Sequence, residues 1–265
     1  MNGRSGTTRE QLWEKELQEL GDSGLYVSSG IESTCAQESK LGPIGRRSCF
    51  VALQTAMKSE LIDTSPLLKA FLDSMKDIEG EPPSLYLDLE GNNLSQLGTL
   101  SLVTVLVQLR ERLYLINVTT LGRDAFDVAG SDGRSLRSIL ESSKIIKVFF
   151  DIRNDSDALY SLYDVHVRGI WDLQLMELAS RSSQKKCVNG LARCIERDSR
   201  LRYEDKAEWQ RVKEKGHGLF DPNRGGSYAV FDQRPLSSEI EHYCTQDVAF
   251  MPHLCEVYRG KLCDA

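Results

Sequence analysis

Ser84-Leu85-Tyr86-Leu87-Asp88-Leu89-Glu90 is the stretch on which the reading of this chain turns. Successive side chains of a strand point to opposite faces. Leu85, Leu87 and Leu89 therefore share one face, and Tyr86, Asp88 and Glu90 share the other. The two carboxylates stand about 7 Å apart along the strand. On a covered sheet face such a pair repels and loses its hydration unless a cation lies between its members. On an open face or at a sheet edge the same pattern is unremarkable chemistry.

Outward from this strand the chain alternates. Leu100 to Gln108 and Arg112 to Val118 read as two further strands. Short helical and extended segments follow: a helix over 135–143, a strand over 145–150, a helix over 154–163, a strand over 169–171 and a helix over 172–181 capped by Asp172. Upstream, Ser65-Pro66 opens a helix whose Leu67, Leu68, Phe71, Leu72 and Met75 recur at helical spacing. Residues 187–217 are helical and charged, 218–236 form a Gly- and Pro-bearing loop, and 238–258 form a last helix that Pro252 should kink or divide. The order predicts an α/β fold, a mixed sheet flanked by helices. Residues 1–48 read as a partly disordered or loosely packed extension, and 49–265 as the folded domain.

Two more acids interrupt apolar stripes. The last helix lines up Ile240, Tyr243, Cys244, Asp247, Val248, Met251, Leu254, Cys255 and Tyr258, with Asp247 in the middle. Tyr243 precedes Asp247 by one turn on the same face; a structural Tyr–Asp hydrogen bond would account for the pair equally well. Asp155 heads the stripe Asp155, Ala158, Leu159 and Leu162, where capping and the helix dipole already favour a carboxylate. Asp151 and Asp157 compete with it for any role. Together these segments supply four carboxylates and a phenol, hard oxygen donors suited to Mg²⁺ or Mn²⁺ rather than to zinc. In-line phosphoryl displacement between two ions calls for such a set.

The order Asp-x-Glu, Asp, Tyr-x-x-x-Asp resembles the DEDDy branch of the DEDD superfamily of 3′–5′ exonucleases. The resemblance covers about residues 58–263. Its motifs here are Leu87-Asp88-Leu89-Glu90-Gly91, Lys147-Val148-Phe149-Phe150-Asp151 leading to Asp155 and Leu159, Ile170-Trp171-Asp172, Arg234-Pro235-Leu236, and Tyr243-Cys244-Thr245-Gln246-Asp247-Val248. The pattern is similar to that of the Exd-like and fungal exonuclease-domain group. The resemblance implies a ribonuclease-H-like fold and a pair of divalent ions, Mg²⁺ or Mn²⁺. Asp88, Glu90 and Asp247 would hold one ion, Asp155 would support the second, and Asp88 would bridge them. Tyr243 would position the attacking water and help to deprotonate it. The implied substrate is single-stranded nucleic acid, RNA or DNA, and the products are nucleoside 5′-monophosphates. Many relatives carry a histidine where Phe150 stands and an aspartate where Asn117 stands. The same group also implies an alternative, a silent nuclease fold acting as a nucleic-acid-binding or adaptor protein.

Charge and composition bound the rest. The chain has 265 residues, 40% hydrophobic and 27% charged, with a net charge of −6. This is an ordinary globular balance and no basic nucleic-acid coat. From Arg181 to Arg234, however, 13 Lys/Arg face 8 Asp/Glu. Arg181, Lys185, Lys186 and Arg193 are the candidates for phosphate-backbone capture; a solvated, salt-bridged helix surface would look the same. Trp209, Phe220, Tyr228 and Phe231 are candidates for base stacking or for packing. The seven cysteines show no metal or disulfide spacing, and the first residues lack the apolar core of a secretory signal. No apolar run approaches the roughly 20 residues needed to cross a bilayer. The expectation is an intracellular protein, cytoplasmic or nuclear, with no membrane partner.

Overall fold

The computed structural model describes residues 58–263, apart from 76, 77, 183, 184 and 200. The expected extension over 1–48, and the following 49–57, lie outside the described residues. The chain opens with strand β1 (Ser59–Ile62), helix α1 (Ser65–Ser74), and strands β2 (Leu85–Glu90), β3 (Leu102–Val107) and β4 (Arg112–Asn117). Short helices α2 (Val118–Leu121), α3 (Asp124–Asp127) and α4 (Leu136–Glu141) lead to β5 (Lys147–Phe149) and α5 (Arg153–Tyr163). Then come β6 (Ile170–Asp172), α6 (Leu173–Ser180), α7 (Leu191–Asp198), α8 (Tyr203–Phe220) and α9 (Ser238–Cys263).

Six strands form one sheet in the order β1-β4-β3-β2-β5-β6. The β2–β3 and β3–β4 pairs are antiparallel; β1–β4, β2–β5 and β5–β6 are parallel. Period two sorts β2 as its sequence requires. Leu85, Leu87 and Leu89 join Phe71, Leu72, Ile139 and Leu159 in one core. Tyr86 joins Trp209, Val248, Met251 and Leu254 in a second, on the opposite face. Asp88 and Glu90 thus project from a face that α9 covers, and the open-face explanation for them falls away. Just past the strand, Gly91 admits the close approach of the Thr99 backbone, where a Cβ would lie 1.9 Å from its carbonyl oxygen.

Several elements differ from the sequence reading. β1 was not expected; its four residues are too short to show a period, and its pairing with β4 supplies what the sequence lacks. Thr64, not Ser65, holds the N-cap of α1, with Pro66 in the first turn. The charged stretch over 187–217 is two helices, α7 and α8, separated by extended backbone at Ser199 and Arg202. Helix α9 runs undivided through Pro252. Residues on both sides of the proline, Val248, Met251, Leu254 and Cys255, are packed into the same core, and that packing outweighs one lost backbone hydrogen bond. Among the described residues no helix is long and apolar enough to cross a membrane.

Candidate active site

Four elements bring these residues to one cleft of about 380 Å³, lined by Asp88, Glu90, Asp155, Tyr243 and Asp247 together with Lys213. β2 delivers Asp88 and Glu90, half-buried at the cleft floor. α9 delivers Tyr243 and Asp247, both buried. Asp155 enters from the first turn of α5, also buried.

The β5–α5 turn that aims Asp155 is held by a neighbour. Asp172 accepts hydrogen bonds from the backbone N–H of Asp151 and of Ile152, each at 3.1 Å, and caps α6 through the N–H of Gln174 at 2.8 Å. Asp151 itself pairs with Arg153, and Asp157 accepts from the Gln96 N–H at 3.0 Å. Asp157 is thereby engaged elsewhere, while Asp151, paired with Arg153, still lines the cleft beside Asp155.

Tyr243 is fixed by contacts that the sequence did not disclose. Its ring lies against Gly216 of α8, where a Cβ would come within 2.3 Å of the ring atom Cδ2. Phe220 meets it edge-on with centroids 4.9 Å apart, and Phe231 lies at 6.4 Å. The aromatic candidates for base stacking are accordingly packing residues in part: Trp209 is buried beside Phe250, and Phe220 is stacked with Tyr228 and tilted against Phe231.

Lys213 is the site residue that sequence reasoning passed over. From α8 its ammonium ion-pairs with the Asp247 carboxylate and donates to the Tyr243 hydroxyl at 3.2 Å. Its charge sits 4.4 Å from the Tyr243 ring centroid. Burial alone would pull this lysine down, but Asp247, Glu90 and Asp88 hold its pKa above the ordinary value. The signal lay in its heptad position one turn after Trp209, on the apolar side of an otherwise charged helix.

The carboxylates carry the cost of their enclosure. Burial and then the Asp247 charge raise the pKa of Asp88 to about 7. Burial and then Asp88 push Glu90 well above the usual carboxylate range, and the same causes in the same order act on Asp155. Tyr243 is raised by burial first, and then by Glu90, Asp247 and Asp88, so its hydroxyl keeps its proton. One oxygen of Asp247, Oδ1, is buried with no hydrogen-bond partner among the described residues. An orphaned carboxylate oxygen amid repelling acids fits a hard divalent cation. No three Asp, Glu, His or Cys side chains among the described residues are, however, drawn into a ready-made ligand set.

The basic candidates are scattered. Arg181 is committed to Glu177, which is buried, and also donates to the Cys187 carbonyl at 2.7 Å. These contacts support a structural role for Arg181 beside its expected place in phosphate capture. Lys185, Lys186 and Arg193 are all exposed, and Lys185 donates to the Ala179 carbonyl at 2.9 Å. Elsewhere in the stretch, Arg202 pairs with Asp205, Arg211 with Glu208, and Arg224 with Glu214. Part of the local positive charge is thus neutralised in place.

A 3′–5′ exonuclease family model matches residues 59–262. The chain belongs to this family. An Egalitarian protein homolog of Caenorhabditis elegans is 32% identical over 122 residues, covering 43% of this chain and 21% of the relative. The crystal structure of Trypanosoma brucei RNase D with GMP is similar at a TM-score of 0.61 and 25% identity, over 78% of this chain and 58% of that one. The complex of the same enzyme with RNA U12 is similar at a TM-score of 0.59 and 24% identity, over 78% and 64%. This exonuclease-family chain spans about a fifth of the curated relative and under two thirds of the RNase D chains. Its mixed sheet flanked by helices is the ribonuclease-H-like fold of these exonucleases.

Proposed function

We propose that this chain is a metal-dependent 3′–5′ exonuclease that shortens single-stranded nucleic acid and releases nucleoside 5′-monophosphates. The observation that carries the reading is the gathering of Asp88, Glu90, Asp155, Tyr243 and Asp247, distant in sequence, around one cleft. Asp88, Glu90 and Asp247 would hold one Mg²⁺ or Mn²⁺, and Asp155 would support a second, with Asp88 shared. Bound there, the two ions supply positive charge to the entering and leaving oxygens of an in-line displacement at phosphorus. Tyr243, protonated and held by Gly216 and Phe220, orients the attacking water through its hydroxyl rather than removing a proton from it. RNA is favoured as substrate by the likeness to an RNase D seen with RNA U12.

One observation favours a second reading, a silent nuclease fold that binds nucleic acid as an adaptor. It is the ion pair of Lys213 with Asp247, which puts a cation of the chain's own among the candidate metal ligands. The test is incubation of the full chain with end-labelled single-stranded RNA and DNA in Mg²⁺, Mn²⁺ or EDTA, alongside Asp88→Asn and Glu90→Gln. The expected outcome is metal-dependent shortening from the 3′ end, abolished in both variants with the fold intact. Wild-type turnover in either variant would refute the assignment. RNA binding without cleavage under every metal condition would establish the adaptor.

A further inference from the structure

Four acids and one lysine meet in the cleft, and the lysine occupies the ground a cation would need. Lys213 contacts the Asp247 carboxylate and the Tyr243 hydroxyl at once. Asp88 and Glu90 also act on it electrostatically. Its side chain is only 16% exposed, so bulk water does little to screen this charge. We propose that Lys213 is the resident counter-ion of the carboxylate set, and that a divalent cation binds only by displacing its ammonium from Asp247. The proposal rests on the metal-site reading above and adds a control over when that site loads.

The physical argument is one of exclusion. An ammonium and a divalent ion on the same carboxylate repel twice as strongly as two unit charges at equal separation. The acids need a positive charge to coexist in an enclosed cleft, and the chain supplies one itself. Asp247, Glu90 and Asp88 all act on Lys213, and no three acids make a closed ligand set among the described residues. Metal affinity is consequently weaker than the acids alone would give, and loading swings the lysine away from Asp247. Trp209 reports the movement, because the ammonium lies 5.9 Å from its ring centroid.

Two measurements on the full chain test the exchange. In calorimetric titration with Mn²⁺, Lys213→Met should bind about 10- to 100-fold more tightly than wild type, the scale by which one adjacent charge shifts a carboxylate site. Its metal-free melting temperature should fall, and Mn²⁺ should restore it. In a fluorescence titration with Mg²⁺, wild type should show an emission change that Trp209→Phe removes and Lys213→Met lacks. Should Lys213→Met fail to fold, Lys213→Gln and Lys213→Arg make the same comparison, the glutamine binding tightly and the arginine weakly. Equal Mn²⁺ affinity in wild type and the uncharged variants, with binding still abolished by Asp88→Asn, would overturn the exchange and leave the metal site standing. Binding insensitive to Asp88→Asn would overturn both.

Discussion

Gly216 and Tyr243 show how one missing methyl group can place a hydroxyl. A Cβ at Gly216 would lie 2.3 Å from Tyr243 Cδ2 and 2.7 Å from Cγ, too close for any rotamer to relieve without moving the ring. Gly216→Ala should therefore act on the same step as Tyr243→Phe by a different route. The phenylalanine keeps the ring in place and removes the hydroxyl, so cleavage should fall about 10²–10⁴-fold with a stability change of roughly 1–2 kcal/mol at most. The alanine keeps the hydroxyl and displaces it, so cleavage should fall together with stability, by about 1–3 kcal/mol of overpacking. Single-turnover cleavage and thermal melts of both variants check the pair; near-normal cleavage by Tyr243→Phe would remove Tyr243 from the chemistry. Gly216 was not legible beforehand, because a glycine in a charged helix reads as tolerance rather than as contact. Lys213 was hidden for a similar reason: among 13 basic residues, its one mark was its place a turn after Trp209 on the inner side of the helix. Asp88, Glu90 and Asp247 were legible because an acid on an apolar face is an anomaly that composition cannot dilute.

At the scale of elements, β5 carries a lysine where a hydrophobe would serve. Lys147 is fully buried, and its ammonium donates to the Ile139 carbonyl at 3.1 Å and the Ser142 carbonyl at 2.6 Å, tying off the end of α4. Burial lowers its pKa from 10.5 to about 8. An unfolded lysine stays charged to the higher value, so between the two the unfolded chain binds more protons and stability rises with pH. The gain is at most roughly 3 kcal/mol, since the two carbonyl bonds favour the charged form. Thermal melts from pH 7 to 10 should show this rise in wild type and lose it in Lys147→Met, when the two curves are subtracted. Identical pH dependence in both would place the lysine's charge elsewhere. The strand itself was expected, and so were α5, α6 and the Asp172 cap, since each carries its own periodicity and start signal. The division between α7 and α8 and the continuity of α9 at Pro252 were not, because both depend on packing between elements.

Over the whole molecule, positive charge is divided between internal pairing and the surface. Lys186 and Arg193 are exposed members of the basic set, so Lys186→Glu with Arg193→Glu should raise KM about 3- to 10-fold at low salt and flatten its salt dependence, with kcat little changed. Arg181→Glu should instead lower stability by about 3 kcal/mol, because it leaves Glu177 buried without its partner. A KM series from 50 to 200 mM salt and a melt separate these outcomes; an unchanged KM would make the stretch an ordinary solvated surface. The shared carboxylate of Asp172 has a mechanical consequence as well. By gripping the Asp151–Ile152 backbone and the start of α6 together, it welds one wall of the cleft into a single stiff jaw. The facing wall, α8, is tied to α9 by the Lys213–Asp247 and Lys215–Glu239 ion pairs, by Trp209 against Phe250 and by Phe220 against Tyr243. Asp172→Ala should therefore loosen the two elements of the first wall at once, and amide hydrogens at Asp151, Ile152 and Gln174 should exchange faster in that variant than in wild type. One carboxylate is the corner brace of that wall.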